Sequence, residues 1–222
     1  MRRYLPFLIV MAVGLITLAS GTMLYRAKRP AVSGTGKAAI GLEKRGGKTG
    51  HILGSPDAAV VVEEFGDFEC PPCGHLSEPI NQLERDYHGR VCVIFRNFPL
   101  PNHKHAREAA EAAEAAALQG RFWQMHDVLY REQAVWSKSD DVRSLFKAYA
   151  GTAGVNVTQF EKDLDSDEVK KRVAADQQQG TNLGVSTTPS LFVNDQAVPV
   201  PQINPTGLHA VVEAALKQKA QK

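Results

Sequence analysis

The stretch VVVEEFGDFECPPCGHLSEPINQLERDY, residues 60–87, decides how the rest of the chain is read. It opens with a nearly continuous apolar run rich in β-branched residues, the pattern of a strand covered on both faces. It closes with Leu76, Ile80 and Leu83 at intervals of four and three, which share one face of a helix. Cys70 and Cys73 therefore stand where a strand hands over to a helix.

A spacing of three at the start of a helix puts two sulfurs on one turn, close enough to join and separate without unfolding the domain. Cys70, nearer the N-terminus, meets unpaired backbone N–H groups and the positive end of the helix dipole, which favour its thiolate. Cys73, one turn deeper, is less accessible. The expected division is that Cys70 forms a mixed disulfide with a partner protein and Cys73 resolves it. Pro71 and Pro72 suit a first turn, where N–H groups need no intrahelical acceptor, and they withhold two donors from the Cys70 sulfur. A static disulfide is the plainer reading of such a pair. Half of a four-cysteine zinc site is a poorer one, because no second close pair accompanies it. No metal or cofactor is expected.

Outward from this stretch, RVCVIFRNF, residues 90–98, is a second strand, and the helix between the two is long enough for a crossover, giving βαβ. From His103 to about residue 178 the pattern is helical. HAREAAEAAEAAALQ favours helix strongly, Gly120 interrupts it before RFWQMHDVLYREQ, and SDDVRSLFKAYAG and a stretch beginning after Val157 follow, making four helical segments. TTPSLFVN then returns to strand, Asn194 and Asp195 turn the chain into AVPV, and GLHAVVEAALKQK closes as a helix. The order is βαβ, helical insert, ββα, an α/β chain.

Several side chains could support the cysteines. Glu64, six residues before Cys70 and following three valines, is expected to be partly buried with a raised pKa, fit to exchange a proton with Cys73 directly or through water. Its rival placement is the solvent edge of the strand, with Glu63 equally placed. A cis bond between Thr188 and Pro189 would turn the Thr188 backbone towards the cysteines, ready to bind an extended peptide; a trans proline at a strand start is the default. Cys92, among Val91, Val93 and Ile94, reads as an inner-strand thiol. His75 reaches the site only if it curls back. His103 and His105 flank Lys104 as an exposed turn rather than a metal pair. The Ala-rich helix reads as scaffold, and Trp123, Met125 and Trp136 as core or groove lining.

At the other end, Arg2 and Arg3 precede an apolar run of residues 4–25, and Arg26, Lys28 and Arg29 follow it. As a helix this run crosses about 30 Å of hydrocarbon. Residues 1–25 thus read as a membrane anchor, or as a cleaved export signal. Either sends the domain to a compartment where disulfides persist. Residues 26–50, with six glycines and few large apolar groups, read as a flexible tether. The remainder, residues 51–218, suits one globular domain. A net charge of +2, from 26 basic against 24 acidic residues, argues against nucleic acid as a partner.

Taken together, VVVEEFGDFECPPCGHL, FRNFPL, AALQGRFWQMHDVLY and LGVSTTPSLFVN resemble the DsbA-like thioredoxin family, over residues 50–217. The resemblance implies a thioredoxin-like fold with a central mixed sheet and an inserted helical subdomain over the active site. It implies Cys70 as nucleophile, Cys73 as resolving cysteine, Glu64 as the buried acid, and Thr188 with Pro189 as a cis-proline loop. It also implies exported, cysteine-bearing protein substrates and a membrane redox partner. Oxidation of substrate dithiols is the expected direction. Reduction or isomerisation by the same pair, and a binding or chaperone module without turnover, are the alternatives. Pro72 departs from the family's best-known oxidant, which carries histidine there, and Cys92 stands where another residue is expected.

Overall fold

The valine run becomes β2 (Val60–Gly66), and RVCVIFRNF becomes β3 (Val91–Asn97), joined through α1 (Pro71–Tyr87) as a parallel pair. The computed structural model describes residues 50–221. Around this βαβ unit lies a mixed sheet of five strands among the described residues, in the order β1-β3-β2-β4-β5. β1 (His51–Gly54) runs antiparallel to β3, and β4 (Ser190–Val193) antiparallel to β2. β5 (Gln196–Ala197) closes a hairpin with β4 through Asn194 and Asp195, both at positive φ, as a two-residue turn of matching twist requires. Asn194 also binds β2 through its side chain, accepting from Val61 N at 3.1 Å.

Strand alternation sends Val60, Val62, Val91 and Val93 to one face, where they meet Leu76, Ile80 and Leu83 of α1 and Leu208 and Val212 of α8 (Pro205–Ala220). The other face carries Phe65 and Arg96 and is crossed by α7 (Asp167–Asn182), whose Gly180 lets Phe65 and Phe98 approach its backbone. Between β3 and α7 lies the insert: α2 (Ala106–Ala117), α3 (Phe122–Arg131), α4 (Gln133–Trp136), α5 (Val142–Thr152) and α6 (Val157–Leu164). Ala109, Ala110, Ala112, Ala113, Ala115 and Ala116 of α2 are all buried, so the alanines serve close approach on several sides at once.

The structure has more pieces than the sequence pattern resolves. Six helices lie between β3 and β4 where four segments are expected. The stretch after Val157 breaks because Ser166 starts a new helix, its side chain accepting from Val169 N. Gln133–Trp136 is a single turn, too short for periodicity to report. β1 is four residues long and precedes the expected first strand. AVPV gives only Ala197 to the two-residue β5, since Pro199 has no N–H to continue the ladder and Val200–Gln202 turns into a 3-10 helix. The helices between β3 and β4 run from residue 106 to 182, and α8 extends to Ala220, one residue beyond the expected GLHAVVEAALKQK. No helix among the described residues is long and apolar enough to cross a membrane. The proposed anchor or signal at 1–25 and nearly all of the tether at 26–50 lie outside the described residues.

Candidate active site

Cys70 is the N-cap of α1, with extended backbone angles, and Pro71 and Pro72 fill the first two helical positions. Both prolines are exposed, whereas Cys70 is 4% exposed and Cys73 not at all. The first sulfur is thus less open than a helix tip suggests, because Phe68, the insert and the loop before β4 close around it. That loop contains a cis peptide between Thr188 and Pro189. It brings the Thr188 carbonyl to the Cys70 thiol, which donates to it at 3.3 Å.

The two thiols are driven apart in acidity. Cys70 is lowered from an ordinary 9.0 to about 6, chiefly by the hydrogen bond from the Cys73 thiol. Burial opposes this; the Thr188 side chain and the Cys73 amide add to it, and the charge of Asp67 works against it. Cys73 is raised well above its ordinary value, first by burial, then by its bond to Cys70 and the nearby Glu64 carboxylate. Glu64, in β2 and 1% exposed, is raised from 4.5 to about 8 by burial and then by the Cys70 charge. Its Oε1 has no hydrogen-bond partner among the described residues. Glu63, its neighbour, turns to the other face and pairs with Arg96 at 2.5 Å. The structure therefore brings Cys70, Cys73, Glu64, Thr188 and Pro189 to one place at the end of β2.

Other sequence candidates lie elsewhere. Cys92 is fully buried in β3, and alternation turns it to the face opposite Phe95, away from Cys73. His75 is exposed on α1. His103 and His105 do not form an exposed turn. His105 is buried and binds Glu108 at 2.9 Å, and His103 binds Asp67 at 2.7 Å. Met125 and Trp136 are fully buried core residues, while half-buried Trp123 ties the insert to β1 by donating to Ile52 O at 3.1 Å.

Three residues that sequence reasoning did not single out hold the loop before Cys70. Asp67 Oδ1 accepts from Glu69 N at 2.8 Å, Asp67 Oδ2 accepts from Leu100 N at 2.9 Å, and its carbonyl accepts from Cys70 N at 3.1 Å. The signal was present: an Asp bonding the amide two residues on is an Asx turn, and GDFE just before a helix allows one. Gln133 of α4 donates to the carbonyls of Phe68 and Cys70 at 2.6 and 3.0 Å. Tyr130 of α3, buried, donates to the Asp67 carbonyl at 3.4 Å. Nothing local in the sequence marks Gln133 or Tyr130, since their partners lie over 60 residues away.

A family model described as Thioredoxin matches residues 47–214. Among curated proteins, the chain is similar to the Na(+)/H(+) antiporter NhaA 1 of Mycolicibacterium gilvum (strain PYR-GCK), with 39% identity over 147 residues, 65% of this chain and 23% of that protein. The chain thus spans less than a quarter of the length of the curated relatives it matches. Among solved structures, a thioredoxin-like oxidoreductase from Silicibacter pomeroyi DSS-3 is 28% identical, with a TM-score of 0.64, over 77% of this chain and 94% of that one. The oxidised form of BdbD from Bacillus subtilis is 26% identical, with a TM-score of 0.68 and the same coverage. A close cysteine pair at the head of a helix, on this sheet and under this insert, supplies thiol-disulfide chemistry. The chain belongs to the thioredoxin family and carries a DsbA-like thiol-disulfide oxidoreductase domain.

Proposed function

We propose that the domain oxidises dithiols of exported proteins, with Cys70 as the sulfur that partners attack. The observation that carries this direction is the lowered pKa of Cys70 beside the raised pKa of Cys73. A stabilised thiolate favours the reduced pair, so the joined pair gives up its bond readily to a substrate. In this scheme a substrate thiolate attacks the Cys70 sulfur, the bond to Cys73 breaks, and Cys73 leaves as a thiolate that takes the proton of Glu64. The substrate's second thiolate then attacks its own sulfur in the mixed disulfide and expels Cys70. The substrate loses two electrons and the pair gains them; a membrane redox partner takes them away. Run backwards, the same steps make Cys73 the resolving group of a reductase. Thr188 and Pro189 offer the backbone against which an extended substrate segment lies.

We also place this domain outside the cytoplasm, held by an anchor or exported by a signal at residues 1–25, with 26–50 as tether. The apolar run between basic residues supports this, as does the occurrence of a similar stretch within proteins named as antiporters. Carbonate extraction of expressing cells tests it: an anchored chain stays with the membrane pellet, and a cleaved one is released shortened.

The enzymatic proposal is tested by oxidation of a reduced dithiol peptide. Cys70→Ser should abolish it, and Cys73→Ser, offered the disulfide form of the peptide, should accumulate the mixed disulfide at Cys70, because the thiol that would release it is gone. Turnover retained in Cys70→Ser refutes the mechanism. Binding of an unfolded client with unchanged affinity by that variant, without turnover in the native protein, indicates a binding module instead.

A further inference from the structure

The Cys70 loop rests on a buried acid that has an ionisable partner. Asp67 is 1% exposed, yet its Oδ2 lies 2.7 Å from His103 Nδ1, whose side chain keeps 21% of its surface open. We propose that His103 is a positioning residue for the cysteine pair: through its ion pair with Asp67 it sets the negative charge standing under the loop that carries Cys70. This rests on the dithiol exchange argued above.

The nearby Glu69 and Glu108 carboxylates have partners of their own. Glu69 accepts from His105 N at 2.5 Å, and the His105 ring binds Glu108. From below, α3 contributes the Tyr130 hydroxyl and the His126 ring, which packs on Phe68, and β2 the Glu64 carboxyl. Among the described residues, the ion-pair partner of Asp67 is His103. A bare Asp67 carboxylate, whose carbonyl holds the Cys70 amide, repels a Cys70 thiolate through a buried medium of low dielectric. A protonated His103 cancels that repulsion, and a neutral one leaves it. Cys70 is thus a better leaving group while His103 is charged.

The test is the ultraviolet thiolate absorbance of the reduced full chain against pH, with its oxidised form as blank, so that Cys92 cancels. His103→Asn keeps a donor for Asp67 but never a charge. The Cys70 midpoint should rise by about half a pH unit, roughly a threefold loss of thiolate below the midpoint. His103→Lys restores the charge while losing the ring geometry, and should return the midpoint towards the native value. With Asp67→Asn in place, His103→Asn should shift nothing. Equal displacement of the Asn and Lys variants indicates a structural role and overturns the inference, as does no displacement in either. If the native pair forms no mixed disulfide with glutathione, the exchange function itself fails; if it exchanges normally and the variants titrate alike, only the role of His103 fails.

Discussion

Cys70 and Cys73 sit one helical turn apart and are pushed in opposite directions by the same few groups, which gives stability a distinctive pH dependence. Cys70 falls from 9.0 to about 6 on folding, so between pH 6 and 9 the unfolded chain holds a proton that the folded one has released. The stability this contributes to the reduced protein is complete above pH 9 and is lost as pH falls through 6. Glu64 rises from 4.5 to about 8, so its contribution is complete below pH 4.5 and is lost as pH rises through 8. In the disulfide form Cys70 cannot titrate. Urea unfolding between pH 6 and 8 should therefore show the oxidised form losing stability more steeply than the reduced form; parallel slopes would contradict the Cys70 shift. Glu64→Gln removes the proton donor while leaving the volume. Dithiol exchange should slow by roughly a hundredfold, the low end of general acid–base effects, and should lose the pH-rate limb near 8. The cysteines and Glu64 were legible in sequence because spacing and a valine run place them. Tyr130 and Gln133 were not, because their roles depend on contacts that only the folded insert creates, whereas the Asx turn of Asp67 left a local signal that went unread.

The elements are held in register by close contacts that composition hides. Gly180 lies in the last turn of α7, where alanine ordinarily adds helix stability, yet a Cβ there would come within 2.7 to 2.9 Å of Phe98 and Phe65. Gly180→Ala should therefore destabilise, by about 1–3 kcal/mol as overpacking does, seen as a lower urea midpoint with unchanged slope. A stabilised variant would show that Phe98 moves freely. β3 makes the complementary point: Cys92 is buried on the face away from the active site. Cys92→Ala should leave dithiol exchange unchanged and cost about 1 kcal/mol for the lost sulfur contacts. The βαβ start, the hairpin at Asn194 and the closing helix could be read from period and turn chemistry. The division of the long helical tract could not, since Ser166 and the one-turn α4 leave no change of period for a pattern to register.

Across the whole molecule, the insert is joined to the sheet by a buried ionic network as well as by apolar packing. Arg96 of β3 bonds Glu63 of β2 at 2.5 Å and Asp176 of α7 at 2.9 Å, and Asn97 binds both Asp176 and Glu114 of α2. Removing one partner strands buried charge, so Arg96→Leu should cost about 3–5 kcal/mol and loosen the insert over the cysteines. The fold class was readable because motif order reproduced it, but the network was not, as its members scatter over more than 100 residues with no common period. What the molecule does depends on how far the Cys70 thiolate is favoured. Equilibration of the Cys70–Cys73 pair with glutathione measures this as a reduction potential. A value well above the thioredoxin range, towards about −120 mV, is the expected result; one near about −270 mV would contradict an oxidase.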